Sequence, residues 1–145
     1  MAKTRTTTGF TLIEILIALA IVAITTTFAV SGYRRYLVRS QRIEAVQGLL
    51  AAAAEQEKFH LAHGRYGDSL DAARNAEPPG LPVASTTPRG RYRLRIDSAD
   101  AAGFVVIAER LDRRDDTACV SLSIDESGRR RASDATDRDT TASCW

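Results

Sequence analysis

The sequence predicts an α+β chain in which one long N-terminal helix packs on a small antiparallel β-sheet. Three observations predict it. The 21 residues from Phe10 to Val30 carry a single charge, Glu14, and neither glycine nor proline. From Arg34 to Leu61 apolar residues recur at helical spacing. After residue 90, three segments alternate or run apolar at strand length. The composition, 44% hydrophobic and 26% charged in 145 residues, suits one modest domain behind an apolar segment.

As a helix, the first segment extends about 31 Å, the thickness of a hydrocarbon core. It is longer than the apolar part of a secretory signal, and no A-x-A cleavage site follows it before Tyr33. It therefore reads as a membrane helix. Lys3 and Arg5 precede it and Arg34, Arg35, Arg39 and Arg42 follow, so the positive charges do not decide its orientation. A carboxylate at the centre of such a helix costs about 2.5–3.5 kcal/mol, less toward an end. Glu14 accordingly needs water at the interface or a cation on a neighbouring subunit.

Beyond the membrane half, Ile43, Val46, Leu50 and Ala53 trace an apolar stripe, widened by Ala45 and Leu49. Arg42, Glu44, Glu55 and Lys58 suit the solvated side. Gly64 is a plausible helix stop. The stretch "AEPPGLPVASTTPRG" holds all four prolines and reads as an exposed loop. In "RYRLRID" (91–97), Tyr92, Leu94 and Ile96 face one way and Arg91, Arg93 and Arg95 the other. "GFVVIAERL" (103–111) reads as an inner strand. "ACVSLSID" (118–124) alternates with Val120, Leu122 and Ile124 inward, "DESG" is a turn, and "RRRAS" adds an edge strand. The tail from residue 134 lacks periodicity and reads as a loop. Cys119 and Cys144, the only cysteines, suit a disulfide in an oxidising compartment, with two free buried thiols as the alternative.

"KTRTTTGFTLIEILIALAIVAI" resembles the leader and N-terminal segment of type IV prepilins. By that resemblance, a prepilin peptidase cuts between Gly9 and Phe10, Phe10 becomes the N-methylated terminus, and Glu14 directs subunit assembly. A cut there also leaves the Phe10 amine four residues from Glu14, on one helical face. The resemblance implies the type IV pilin fold, with Cys119 and Cys144 bounding a C-terminal loop. The terminal Cys-Trp is most similar to PilE-type minor pilins. The implied division is a leader (1–9), a transmembrane and assembly half-helix (10–33), an amphipathic half-helix (34–62), a connecting loop (63–90), an antiparallel sheet (91–132) and the disulfide-bounded loop (133–145). The implied partners are other pilins in a helical filament, the peptidase and the inner-membrane assembly machinery. The implied location is the inner membrane, C-terminal part periplasmic, and then the extracellular pilus. Two positions depart from the family pattern: Ser31-Gly32 stands where pilins usually have proline, and Gly67 replaces the proline of the G-x-Y-P stretch after the helix.

Catalytic motifs are missing, so the sequence points to a structural subunit, not an enzyme, with no cofactor and no metal. His60 and His63 lack further ligands and read as solvated helix histidines. Asp112, Asp115 and Asp116, interleaved with Arg110, Arg113 and Arg114, read as a solvated connection. Two arginine sets are candidate DNA contacts: Arg91, Arg93 and Arg95, joined by Arg89, and the run Arg129, Arg130 and Arg131. Without the first nine residues the basic and acidic counts are equal, so bulk charge does not favour nucleic acid. A minor pilin is therefore preferred over a DNA-binding pilin for uptake. A type II secretion pseudopilin shares the leader and helix, but the cysteine pair favours a pilin.

Overall fold

A computed structural model describes residues 10–72 and 79–145, the side chains of residues 28–31 excepted. In chain order it contains α1 (Leu12–His63), β1 (Tyr92–Ala99), β2 (Phe104–Arg110), β3 (Ser121–Asp125), β4 (Arg130–Ser133) and α2 (Thr141–Cys144). Two compact units, Met1–Leu37 and Val38–Trp145, divide the chain, and α1 belongs to both.

Thr11 begins α1. Its Oγ1 accepts the Glu14 N–H at 3.4 Å, and its carbonyl accepts the Glu14 and Ile15 N–H groups at 3.1 and 3.3 Å. This Thr-x-x-Glu spacing is that of a capping box, and the acid sits in the first turn, where the helix dipole favours it. Every residue from Phe10 to Thr27 is exposed. The β-branched Thr25, Thr26 and Thr27 bond back to the Ile21, Val22 and Ala23 carbonyls at 2.9, 2.6 and 2.9 Å. Their hydroxyls are thus satisfied within the helix. The helix runs unbroken through Ser31 and Gly32. It ends where Gly64, at φ +69°, donates its N–H to His60 O at 2.8 Å.

In the second unit, α1 buries Gln41, Ala45, Leu49, Ala52, Gln56 and Phe59. The expected stripe is therefore rotated. Ala45 and Leu49 lie at its centre, whereas Ile43 and Leu50 are 50% and 41% exposed. Two glutamines occupy core positions because remote partners satisfy them. Gln56 donates to Gly67 O and accepts from Gly67 N–H, both at 2.8 Å. A proline at position 67 has no N–H to donate, which gives Gly67 a physical reason in this chain. Gly48 has another: a Cβ there would stand 2.9 Å from Leu94 Cδ2, so the glycine lets β1 approach the helix closely.

The sheet is an antiparallel meander in the order β1-β2-β3-β4. Leu94, Ala108, Leu122 and Ala132 pair in one row across its inner face, and all four are buried. The opposite face carries the rows Arg93–Glu109–Ser121–Ser133 and Arg95–Ile107–Ser123–Arg131. The turn at 125–128 closes with Gly128 at φ +74°.

Two loop expectations need correction. Residues 76–78 lie outside the described residues, but Leu81, Val83 and Thr87 are buried, so the proline-bearing loop is not simply exposed. It runs beside β1: Leu94 N–H donates to Ser85 O at 2.7 Å and Thr87 N–H to Tyr92 O at 3.0 Å. The tail is likewise more ordered than its polarity suggested. Asp139 bridges Ser133, α2 forms, and Cys144 joins Cys119 with the Cα atoms 5.8 Å apart. That disulfide holds the tail to the residues entering β3.

Gln56→Leu keeps the volume but leaves the Gly67 N–H and carbonyl buried without partners. Urea unfolding of the full-length chain in mild detergent, followed by the single Trp145, is expected to register a loss of about 2–4 kcal/mol.

Candidate functional site

At the N-terminal end, Phe10 is 79% exposed and Glu14 is exposed one turn further on. Gly9, the residue before the expected cut, lies outside the described residues. Among the described residues, α1 is the one helix long and apolar enough to cross a membrane.

The two arginine sets differ in their surroundings. Arg91 pairs with Asp115 at 3.4 Å, and Arg95 with Glu109 at 3.2 Å and with Asp97. Arg89 is held by Glu44 at 3.1 Å and by Ser40 at 2.8 Å. Of this set, Arg93 alone has no carboxylate partner among the described residues. In the second set, Arg129 lies 3.9 Å from Asp125. Arg130 stacks over the Trp145 indole at 5.2 Å, and the indole N–H donates to Arg131 O at 2.8 Å. Arg131 has no carboxylate within bonding distance among the described residues. The register puts Arg131 on the same sheet face as Arg93 and Arg95, three strands away.

Arg129, Arg131, Ser121, Ser123 and Thr141 line an open depression of about 620 Å³, to which Asp137 and Asp139 also contribute. The tail aspartates are largely engaged locally. Asp134 is held at about 2 by the Thr136 hydroxyl and then by the Arg138 and Thr136 N–H groups. The Asp139 carboxylate accepts the Thr141 N–H at 2.8 Å. The sequence offers one signal for the Arg130–Trp145 stack, the aromatic residue 15 positions after Arg130.

Behind the sheet lies a buried polar cluster that charge alternation concealed. Asp116 and Arg110, expected in a solvated connection, are only 6% and 3% exposed. Arg42, expected on the solvated side, grips Asp116 with two hydrogen bonds of 2.6 and 2.8 Å. Arg110 donates to Gln41 Oε1 at 2.7 Å, Asp112 O at 2.9 Å and Tyr92 OH at 3.3 Å. Tyr92 OH donates onward to Cys119 O at 2.8 Å. Burial pushes the Asp116 carboxyl up, but Arg42, the Ala118 N–H and Arg110 together outweigh it and hold it below the usual range. Burial raises the Tyr92 phenol against the opposing pull of Arg110. Arg110 and Asp116 thus tie α1, β1, β2 and the disulfide region together.

The histidines pack more than expected. His60 stacks on Tyr66 and His63 on Phe59, with centroids 4.5 and 4.1 Å apart. Among the described residues, no group of three His, Cys, Asp or Glu side chains is placed to hold a metal ion.

An apolar half-helix continued by a sheet-packed half, a four-stranded meander and a disulfide-fastened terminus define the type IV pilin class. Known proteins agree. The model of the family described as "Type IV minor pilin ComP, DNA uptake sequence receptor" matches residues 31–123, and that of the prokaryotic N-terminal methylation motif matches residues 4–30. The chain belongs to this family of type IV minor pilins.

It is 38% identical over 74 residues to the type IV major pilin protein PilE1 of Neisseria gonorrhoeae, covering 49% of this chain and 43% of that protein. It is 33% identical over 103 residues to a fimbrial protein of Neisseria meningitidis, covering 69% of this chain and 53% of that protein. The chain thus spans about half or less of the length of these relatives. The PilE1 relative is described as a major pilin; the minor-pilin assignment comes from the family model. In fold, the chain is similar to the non-core minor pilin PilV of Neisseria meningitidis, with a TM-score of 0.50 at 13% identity over 71% of this chain and 93% of that one.

Asp116→Asn is expected to cost about 3–5 kcal/mol at neutral pH, the usual penalty for stripping one partner from a buried ion pair. Because the folded carboxyl is depressed, its stabilisation is full above the unfolded value of about 3.9 and fades as pH falls through the folded one. The gap between wild type and variant in urea titrations should narrow only below about pH 4.

Proposed function

We propose that the chain is a minor subunit of a type IV pilus, inserted in a membrane and then assembled into the filament through the segment Phe10–Val30. The observation that carries this reading is the apolar half of α1, exposed at every residue from Phe10 to Thr27, which lies within the methylation-motif match at residues 4–30 and precedes a pilin head. Side-by-side burial of such segments supplies the association energy. Cleavage after Gly9 by prepilin peptidase yields an amine at Phe10, the site of N-methylation. Glu14 meets that amine on an adjoining protomer, which removes the need for an uncompensated carboxylate. No cofactor enters this scheme. The family model supports a pilus subunit over a secretion pseudopilus component.

A second reading, that the head also binds DNA during uptake, is favoured by two observations: the description of the matching family model, and the placement of Arg130, without a carboxylate partner, over the Trp145 ring. Arginine over a half-buried ring is a chemistry that attracts phosphate and offers a face for stacking. Of the first set, Arg93 is the better contact, since Arg91 and Arg95 are paired.

Two experiments test these readings. Mass analysis of Glu14→Ala from cells should find normal cleavage and methylation, while sheared pili lack the subunit; ordinary incorporation would remove the assembly role. Replacing Arg129, Arg130 and Arg131 with alanine should weaken DNA binding by the full chain and lower the salt slope by about 2–3. Salt-independent or absent binding by wild type at low ionic strength would end the DNA reading.

A further inference from the structure

Between Glu14 and Glu44 the chain holds no carboxylate, yet four arginines fall in that interval. Arg42 is bound by Asp116. Arg34, Arg35 and, one turn further on, Arg39 are exposed and have no carboxylate partner among the described residues. Arg34 and Arg35 are flanked by Tyr33 and Tyr36, 63% and 69% exposed. At about 100° per residue, these four consecutive side chains point in four directions around the helix. A partner helix or protein groove reads a stripe along one face. A ring suits a medium that surrounds the helix at one level, and aromatic and basic residues just past an apolar span are the interfacial anchors of a bilayer. The absence of nearby acids makes the ring complementary to negative headgroups.

We infer that Tyr33, Arg34, Arg35 and Tyr36 form a collar that binds anionic phospholipid headgroups and fixes the depth of α1 in the membrane before assembly. The inference rests on the reading that this segment resides in a bilayer. The collar also sets a register. Arg34 and Glu14 are 20 residues apart, about 30 Å along a helix, which equals one hydrocarbon thickness. With the collar at one headgroup level, Glu14 reaches the other and stays hydrated until a neighbouring protomer receives it.

The test uses the full-length chain reconstituted in phosphatidylcholine vesicles containing a minority of phosphatidylglycerol. Spin-labelled lipids report how strongly each headgroup is retained at the protein. At low salt, phosphatidylglycerol should be preferred by about fivefold per arginine, equivalent to about 1 kcal/mol each, and the preference should shrink with added salt. R34K/R35K should keep it and R34Q/R35Q should lose the share that these two arginines supply. Equal retention of the two lipids by wild type, or an undiminished preference in R34Q/R35Q, overturns the collar. A chain that washes off the vesicles in alkaline carbonate overturns the membrane reading and the collar with it.

Discussion

A single helix in this protein must suit two surroundings, and the rest of the fold follows from that constraint. Up to residue 27 its described side chains, Glu14 excepted, are apolar or internally bonded and face outward on all sides. From Gln41 onward only one stripe is buried, and the other faces carry charge. The change of pattern occurs without a break in the backbone hydrogen bonds of α1. The sheet covers the second stripe alone, so the first half keeps its apolar surface available for lipid or for other helices.

The head compensates for its small size with connections between distant parts of the chain. Gln56 joins the helix to the segment after it, and Arg42 joins the helix to Asp116, 74 residues away. Arg110 and Tyr92 extend this connection to the carbonyl of Cys119, and the disulfide carries it to the terminus. Buried ions are stabilising only when their remaining hydrogen-bonding capacity is met, and here each has several partners. The described buried side-chain polar atoms all have one.

Much of this architecture was legible from local pattern. The apolar segment, the Gly64 stop, the alternation of Tyr92 with Arg93 and the turn before Arg129 each depend on residues adjacent in sequence. What local pattern missed was decided by remote partners. Gln41 and Gln56 are polar letters that periodicity assigns to solvent, yet Arg110 and Gly67 make them core residues. Asp116 looked like one more surface charge until Arg42 and Arg110 enclosed it. Leu81 and Val83 were hidden among prolines, although an apolar residue between turn formers can still anchor a loop. The arginine candidates were found by composition, but only geometry separated the neutralised Arg91 and Arg95 from Arg130 and Arg131.

The three threonines toward the C-terminal end of the apolar half have a consequence for packing. Because Thr25, Thr26 and Thr27 donate their hydroxyl protons to carbonyls of their own helix, they have none left to donate to an adjacent helix and present methyl groups beside them. Contacts made at that level are dispersive and change gradually as one helix slides along another. In the proposed filament, packing at that level rests on the fit of side chains and not on hydrogen bonds donated from one helix to the next.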